Sequence, residues 1–446
     1  MYLLYSVLLG VAFAFSAPFY LWKGRGTGKY LRTLADRMGR PPAGVPDVPA
    51  GPSIWIHAVS VGEVLAARIL VQPLKAHFPG HRVFVSTTTL TGNAVARDTV
   101  RGADGVFFAP FDFARSVTRV LDRLRPALLV LVETEIWPNL IHLARRRGAR
   151  VAVVNGRISP RSFPRYRRVR PLLRHVLAEV DLFLMQGDAH RARMLEMGAP
   201  PEKVRVVGNL KYDALREPET PAALRRALGQ DEPAARPLWV AGSTVAGEEE
   251  AVLAAFAALR RLHAGARVVI APRHPERFAA VADLVTRAGL ACARRTQLPE
   301  GGWQGGDVLV LDTLGELAQV YPLATVVFVG GSLERAGGHN VLEPAVAGKA
   351  IIVGPHMENF REIAAEFLAE DALVQVRDAA GLTDAVLRLC ADAAARDALG
   401  ARARGIVARN RGALDRTVDA LAGLLVPGQG ETPGLVPGHG EARGIA

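Results

Sequence analysis

Short apolar runs alternate with amphipathic stretches from Ser53 onward, the pattern of strand and helix in a doubly wound parallel sheet. In the first half the runs 54–57, 83–86, 106–108, 128–132, 151–154, 182–185 and 204–207 read as strands. After Gly208 comes 212–237, rich in Pro, Glu and Ala with no strand signal, which reads as a connection. The pattern then restarts at 238–241, 268–271, 308–311, 326–329 and 351–353. Two α/β domains of Rossmann-like type follow, an N-terminal one over 51–212 and a C-terminal one over 238–426, joined by a linker over 213–237. Helical stretches near 380–389 and 413–425 close the second domain, and the Gly/Pro-rich end, 427–446, is expected to be disordered.

Before the first strand the pattern changes. Residues 1–22 are apolar almost throughout, about long enough to span the hydrocarbon core as a helix, and they lack the basic start of a secretory signal. They are expected to form an uncleaved membrane anchor. The basic juxtamembrane segment 23–50 follows, with Lys23, Arg25, Lys29, Arg32, Arg37 and Arg40 opposed up to that point by Asp36, which places the body on the cytoplasmic side. A helix lying in the interface is the alternative.

Composition narrows the class. At 446 residues the chain exceeds what one core usually serves, and half its residues are hydrophobic. The two cysteines, Cys292 and Cys390, show neither disulfide-framework nor metal-ligand spacing. A net charge of +12 asks for an anionic partner, and the arginines concentrate over 145–150 and 157–174. With aromatics at 6% and no nucleic-acid module, a phosphate-rich membrane partner fits better than nucleic acid.

Chemistry concentrates at strand ends, where open parallel sheets bind ligands. In the second domain, Gly330-Gly331-Ser332-Leu333-Glu334-Arg335-Ala336-Gly337-Gly338-His339-Asn340 lies between a strand and a helix opening near Val341. Its glycines let backbone approach a ligand, the helix start offers N–H groups to a phosphate, Asn340 suits an N-cap, and Glu343 can hold ribose hydroxyls. Arg273 and His274 in P-R-H-P can bind a phosphate, Gly315 in D-T-L-G-E leaves room for a nucleobase, and Gly242-Ser243-Thr244 ends a fourth strand. A tight structural turn explains any one of these; four together favour a nucleotide site.

In the first domain, His57-Ala58-Val59-Ser60-Val61-Gly62-Glu63 ends the first strand and opens a helix running to about His77. Ser60 and Glu63 have capping-box spacing, yet Gly62 weakens a helix start and makes sense if something passes close to the backbone. Glu133 and Glu135 follow the fourth strand, with a cap role for Thr134 or Glu135 as the structural alternative. Lys211 sits where the first domain gives way to the linker.

Taken together, H-A-V-S-V-G-E, E-T-E-I-W-P-N, G-N-L-K-Y-D, A-P-R-H-P-E-R-F, D-T-L-G-E-L and G-G-H-N-V-L-E-P closely resemble the bacterial 3-deoxy-D-manno-octulosonic acid (Kdo) transferases, from the N-terminus to about Leu425. The resemblance implies a GT-B fold, two Rossmann-like domains with parallel sheets facing a central cleft. It implies transfer of Kdo, with inversion, from CMP-Kdo to lipid IVA, the acylated phosphorylated precursor of lipid A, in lipopolysaccharide synthesis at the inner membrane. By the same likeness Glu63 is the base, Glu133 and Lys211 assist the transition state, and Arg273, His274, Leu314, Gly315, Glu316, Asn340, Val341, Leu342 and Glu343 bind CMP. No metal and no cofactor beyond the donor is expected. Another GT-B transferase, a nucleotide-sugar epimerase, or a membrane-tethered module binding nucleotide or nucleic acid would share some of these features but not the whole motif set.

Overall fold

The computed structural model describes residues 1–24, 31–40, 51–215, 217–229, 236–300, 302–303 and 306–425, with only the backbone of 17–24, 31 and 32. The expected tail over 427–446 and much of the basic segment 23–50 lie outside them. The chain divides into two compact units, residues 1–211 with 412–446, and residues 212–411.

Unit 1 is a seven-stranded parallel sheet of β1 (Ser53–His57), β2 (Arg82–Thr87), β3 (Gly105–Phe108), β4 (Pro126–Val132), β5 (Arg150–Gly156), β6 (Leu182–Met185) and β7 (Val204–Val206), in the order β3-β2-β1-β4-β5-β6-β7. Alternate side chains serve opposite faces. Ile54 and Ile56 join Val83, Val85, Leu128 and Val130 under the helix Val61–His77, while Trp55 joins Leu129, Leu131 and Val153 on the other side. Both faces are covered, which explains why the strands read as continuous apolar runs. Because β1 is flanked by β2 and β4, the order of connections reverses there, the place beyond the strand ends where open parallel sheets bind ligands.

Unit 2 repeats the plan with β8 (Leu238–Thr244), β9 (Arg267–Pro272), β10 (Cys292–Arg294), β11 (Val308–Val310), β12 (Val326–Val329), β13 (Ala350–Val353) and β14 (Val374–Gln375), ordered β10-β11-β9-β8-β12-β13-β14. Its reversal lies between β8 and its neighbours β9 and β12. The edge strands β10 and β14 have no counterpart among the apolar runs, because two or three residues that include Arg294 or Gln375 make no such run. The segment expected as a plain linker is partly core. Tyr212, Leu224 and Leu228 are buried in unit 2, the latter two by the helix Ala222–Ala227, and the Tyr212 hydroxyl donates to Glu366 at 2.7 Å.

The last helix, Ala413–Leu425, joins unit 1 instead of closing the second domain. Its Ala413, Val418 and Leu421 enter the core beside Ile54 and Leu70, and Arg416 donates to the Val207 carbonyl at 2.9 Å.

The N-terminal helix forms over Tyr2–Gly24, but the expectation that it spans a bilayer is corrected: among the described residues no helix is long and apolar enough to cross a membrane. One side is occupied by unit 1. The Tyr2 ring stacks on His142 with centroids 3.8 Å apart, its hydroxyl donates to Glu179 at 2.6 Å, and Phe13 meets Phe111 and Phe113 edge-on. The opposite side exposes Leu3, Leu4, Val7, Leu8, Val11 and Phe15, the first and last by more than four-fifths. Beyond it the short helix Leu31–Arg37 is clipped to the sheet by Arg37, which donates to the Thr88 carbonyl and lies over Phe108 and Phe111.

Candidate functional site

In unit 1 three carboxylates meet beyond the ends of the adjacent strands β1 and β4. Glu63 occupies the first turn of the helix Val61–His77, and 7% of its surface is exposed. The capping-box reading is half right. Ser60 stands at the N-cap position, but its hydroxyl makes no bond to the helix backbone and donates instead to Glu63 Oε1 at 2.7 Å, while Oε2 accepts the Val59 N–H at 2.7 Å. Two donors therefore fix the carboxylate, one rung before the usual cap. A Cβ added at Gly62 would meet only open space, so the surface beside Glu63 is uncrowded.

Burial pushes the Glu63 carboxyl up to about 7. The Ser60 and Val59 bonds oppose that rise and the negative neighbours Glu135 and Glu133 add to it. Glu135 is itself raised by burial and by Glu133, against the hydrogen bond it accepts from Trp137 Nε1 at 2.7 Å. Neither Thr134 nor Glu135 caps the following helix, Pro138–Arg146. Asp112 does so from another loop, accepting the N–H groups of Asn139 and Leu140 at 3.0 and 2.8 Å. That leaves Glu135 free for the cluster.

Backbone strain marks the same place. Glu133 has φ +63 and Asn155, near the end of β5, has φ +53, left-handed conformations uncommon for non-glycine residues, though asparagine tolerates them more readily than glutamate. Arg157 lies 4.0 Å from Glu133. Asn155 accepts the N–H of Leu210 at 3.0 Å and so ties the stretch before Lys211 to the sheet; Asn209 accepts the N–H of Lys211 itself at 3.0 Å. Below the carboxylates His57 is fully buried, bonded through Nδ1 to Ser86, edge-on to Trp137, and kept neutral because burial lowers it to about 4. Neither Asn155 nor His57 was assigned a role from the sequence, where a buried strand-end polar residue looks like any other.

In unit 2 the expected segments do gather at the strand ends. Burial first, with the nearby Arg273 and His274 adding to it, lowers His339 to about 4; Arg273 also acts on Glu343, which burial raises. Asn340 Nδ2 donates to Glu343 Oε1 at 3.0 Å, and Asn340 Oδ1 accepts the Leu342 N–H at 3.1 Å. The helix starts one residue later than expected, over Leu342–Val346 with Val341 at the cap position. Val341 and Leu342 are buried in the core, so only their backbone can face a ligand. On the neighbouring loop Gly315 has φ +85 with open space beside it, Leu314 is 77% exposed, and Glu316 is held by Thr313 at 2.6 Å and Arg295 at 3.0 Å. β11 pairs with β9, so this loop emerges beside Arg273.

The amides at the start of the glycine-rich loop are already engaged. The N–H groups of Gly331, Ser332 and Leu333 are not open to a phosphate, because the buried Glu248 carboxylate accepts all three, at 2.7, 2.9 and 2.9 Å. Sequence reading passed over Glu248, since an acidic residue in a helix first turn needs no further explanation.

Three comparisons bear on what this arrangement does. The family described as 3-deoxy-D-manno-octulosonic-acid transferase (kdotransferase) matches residues 32–214. The chain is 35% identical to the 3-deoxy-D-manno-octulosonic acid transferase of Haemophilus influenzae over 88% of this chain and 91% of that one. It is 37% identical to the protein of the same name from Bordetella pertussis, over 90% and 94%. Among solved structures, a UDP-GlcNAc 2-epimerase from Neisseria meningitidis superposes with TM-score 0.55 at 12% identity, over 83% of this chain and 99% of that one. A glycosyltransferase from Rickettsia africae gives 0.51 at 12%, over 85% and 100%. The last two share the α/β fold with two parallel sheets seen in GT-B glycosyltransferases, and an epimerase among them means that fold alone cannot choose the reaction.

Proposed function

Because the chain belongs to the 3-deoxy-D-manno-octulosonic acid transferase family, we propose that it transfers Kdo from CMP-Kdo to lipid IVA, with Glu63 as the general base. The observation that carries the reading is the Glu63 carboxylate: buried, fixed by Ser60 and Val59, and titrating near the working pH of a cytoplasmic enzyme. An acceptor hydroxyl attacks the anomeric carbon of Kdo and its proton passes to Glu63. The bond from that carbon to the CMP phosphate oxygen breaks with its electron pair, inverting the centre.

Arg273 and His274 suit the charge that builds on the departing phosphate, and Asn340 and Glu343 suit the ribose. Leu314, Gly315, Glu316, Val341 and Leu342 would complete the nucleotide site, the last two through backbone. Glu133 and Lys211 are assigned to steadying the transition state.

The acceptor is a lipid, and the N-terminal helix supports placing the enzyme at the cytoplasmic leaflet. With one side docked and an apolar side outward, it suits a helix lying in the interface. The test is incubation of the purified full chain with CMP-Kdo and lipid IVA, following CMP release and weighing the lipid product. Release with a product one or more Kdo heavier, abolished by Glu63→Gln in a folded variant, is the expected result. No transfer by the wild type, or undiminished transfer by the variant, would sink it.

A further inference from the structure

We infer that Glu248 is a positioning residue of the donor site, an internal anion that holds the loop after β12 in its binding shape before any nucleotide arrives. It rests on the reading of unit 2 as the nucleotide site. Glu248 is wholly buried at the start of the helix Glu248–Leu262. Its Oε2 accepts the N–H groups of Val245 and Gly331 at 3.0 and 2.7 Å, and its Oε1 those of Ser332 and Leu333 at 2.9 Å each. Successive N–H groups around a left-handed residue form a concavity that attracts anions, and here Gly331 supplies the φ of +67. The concavity already holds its anion.

The surroundings are built around that carboxylate. A Cβ at Gly330 would stand 2.7 Å from Glu248 Oε2 and 2.6 Å from the Ser243 carbonyl, so only glycine lets the loop approach. The Ser332 hydroxyl donates to the Val329 carbonyl and accepts the Gly354 N–H at 2.8 Å, locking the far side. Gly331 also passes directly against the His339 ring, and His339 is grouped electrostatically with Arg273 and His274. The loop shape that Glu248 imposes therefore sets where the His339 ring stands beside Arg273 and His274. Phosphate recognition falls to those side chains and not to the loop amides.

The test is equilibrium binding of CMP to the full chain, with steady-state transfer, for wild type, Glu248→Gln and Glu248→Asp. Gln turns an N–H₂ group toward backbone donors, and Asp keeps the charge one methylene short. The expected result is CMP binding weakened at least tenfold by Gln and less by Asp. Donor KM should rise in parallel, while kcat and acceptor KM stay within about twofold. A purely structural role would lower thermal stability without that split. Should Gln not fold, Asp still decides: CMP binding and donor KM as in wild type overturn the inference. Wild type failing to bind CMP would instead strike the reading of unit 2 on which it rests.

Discussion

Glu63 carries a cost that its proposed role explains. Its carboxyl is raised to about 7 against an ordinary value near 4.5, so the folded chain holds that proton more tightly than the unfolded chain. The resulting stabilisation is fully present below the ordinary value and is lost as pH rises through 7. Glu63→Gln, which cannot ionise, should therefore be more stable than wild type at pH 8, by on the order of 2 kcal/mol, with the gap largely closed at pH 5; urea unfolding at the two pH values measures it. Activity runs the other way, since a base must be ionised: kcat/KM should climb with pH through about 7. Glu135→Gln removes one of the negative neighbours and should move that limb to lower pH, with an unmoved limb telling against the coupling. Little of this was visible in the sequence. The spacing of Ser60 and Glu63 announced a cap and the motif announced a base. Only the structure shows the same carboxylate accepting both a hydroxyl and an amide one residue upstream of the usual cap.

Among the elements, legibility followed burial. Central strands packed on both faces, such as β4 and β12, appear as unbroken apolar runs, and β12 falls where those runs put it. The edge strands β10 and β14 were invisible because pairing, not composition, makes them strands. The N-terminal helix taught the opposite lesson: its apolar length was legible, but not that Tyr2 would bond to Glu179 and leave Leu3, Leu4 and Leu8 outward. Exposed apolar side chains can be made charged without disturbing a core. Leu4→Glu with Leu8→Glu should leave thermal unfolding unchanged and weaken binding to anionic vesicles at least tenfold in co-sedimentation. Arg37, clipped to the Thr88 carbonyl and lying over two phenylalanines, joins the short helix Leu31–Arg37 to the sheet.

For the molecule as a whole, charge and connectivity matter most. An excess of 12 positive charges should make vesicle binding fall steeply with added salt, as counterions screen the surface. Connectivity has a slower consequence. Ala413, Val418 and Leu421 complete the core of unit 1, so Leu421→Ala should destabilise that unit by about 3 kcal/mol, read by calorimetry. Yet these residues are separated from the rest of unit 1 by the 200 residues of unit 2. At a synthesis rate of about 5–20 residues per second, the nascent sheet waits roughly 10–40 s on the ribosome with the apolar groove for its last helix uncovered. For that interval the newborn chain offers chaperones a sticky, unfinished surface, and its survival in the cell depends on what fills the gap first.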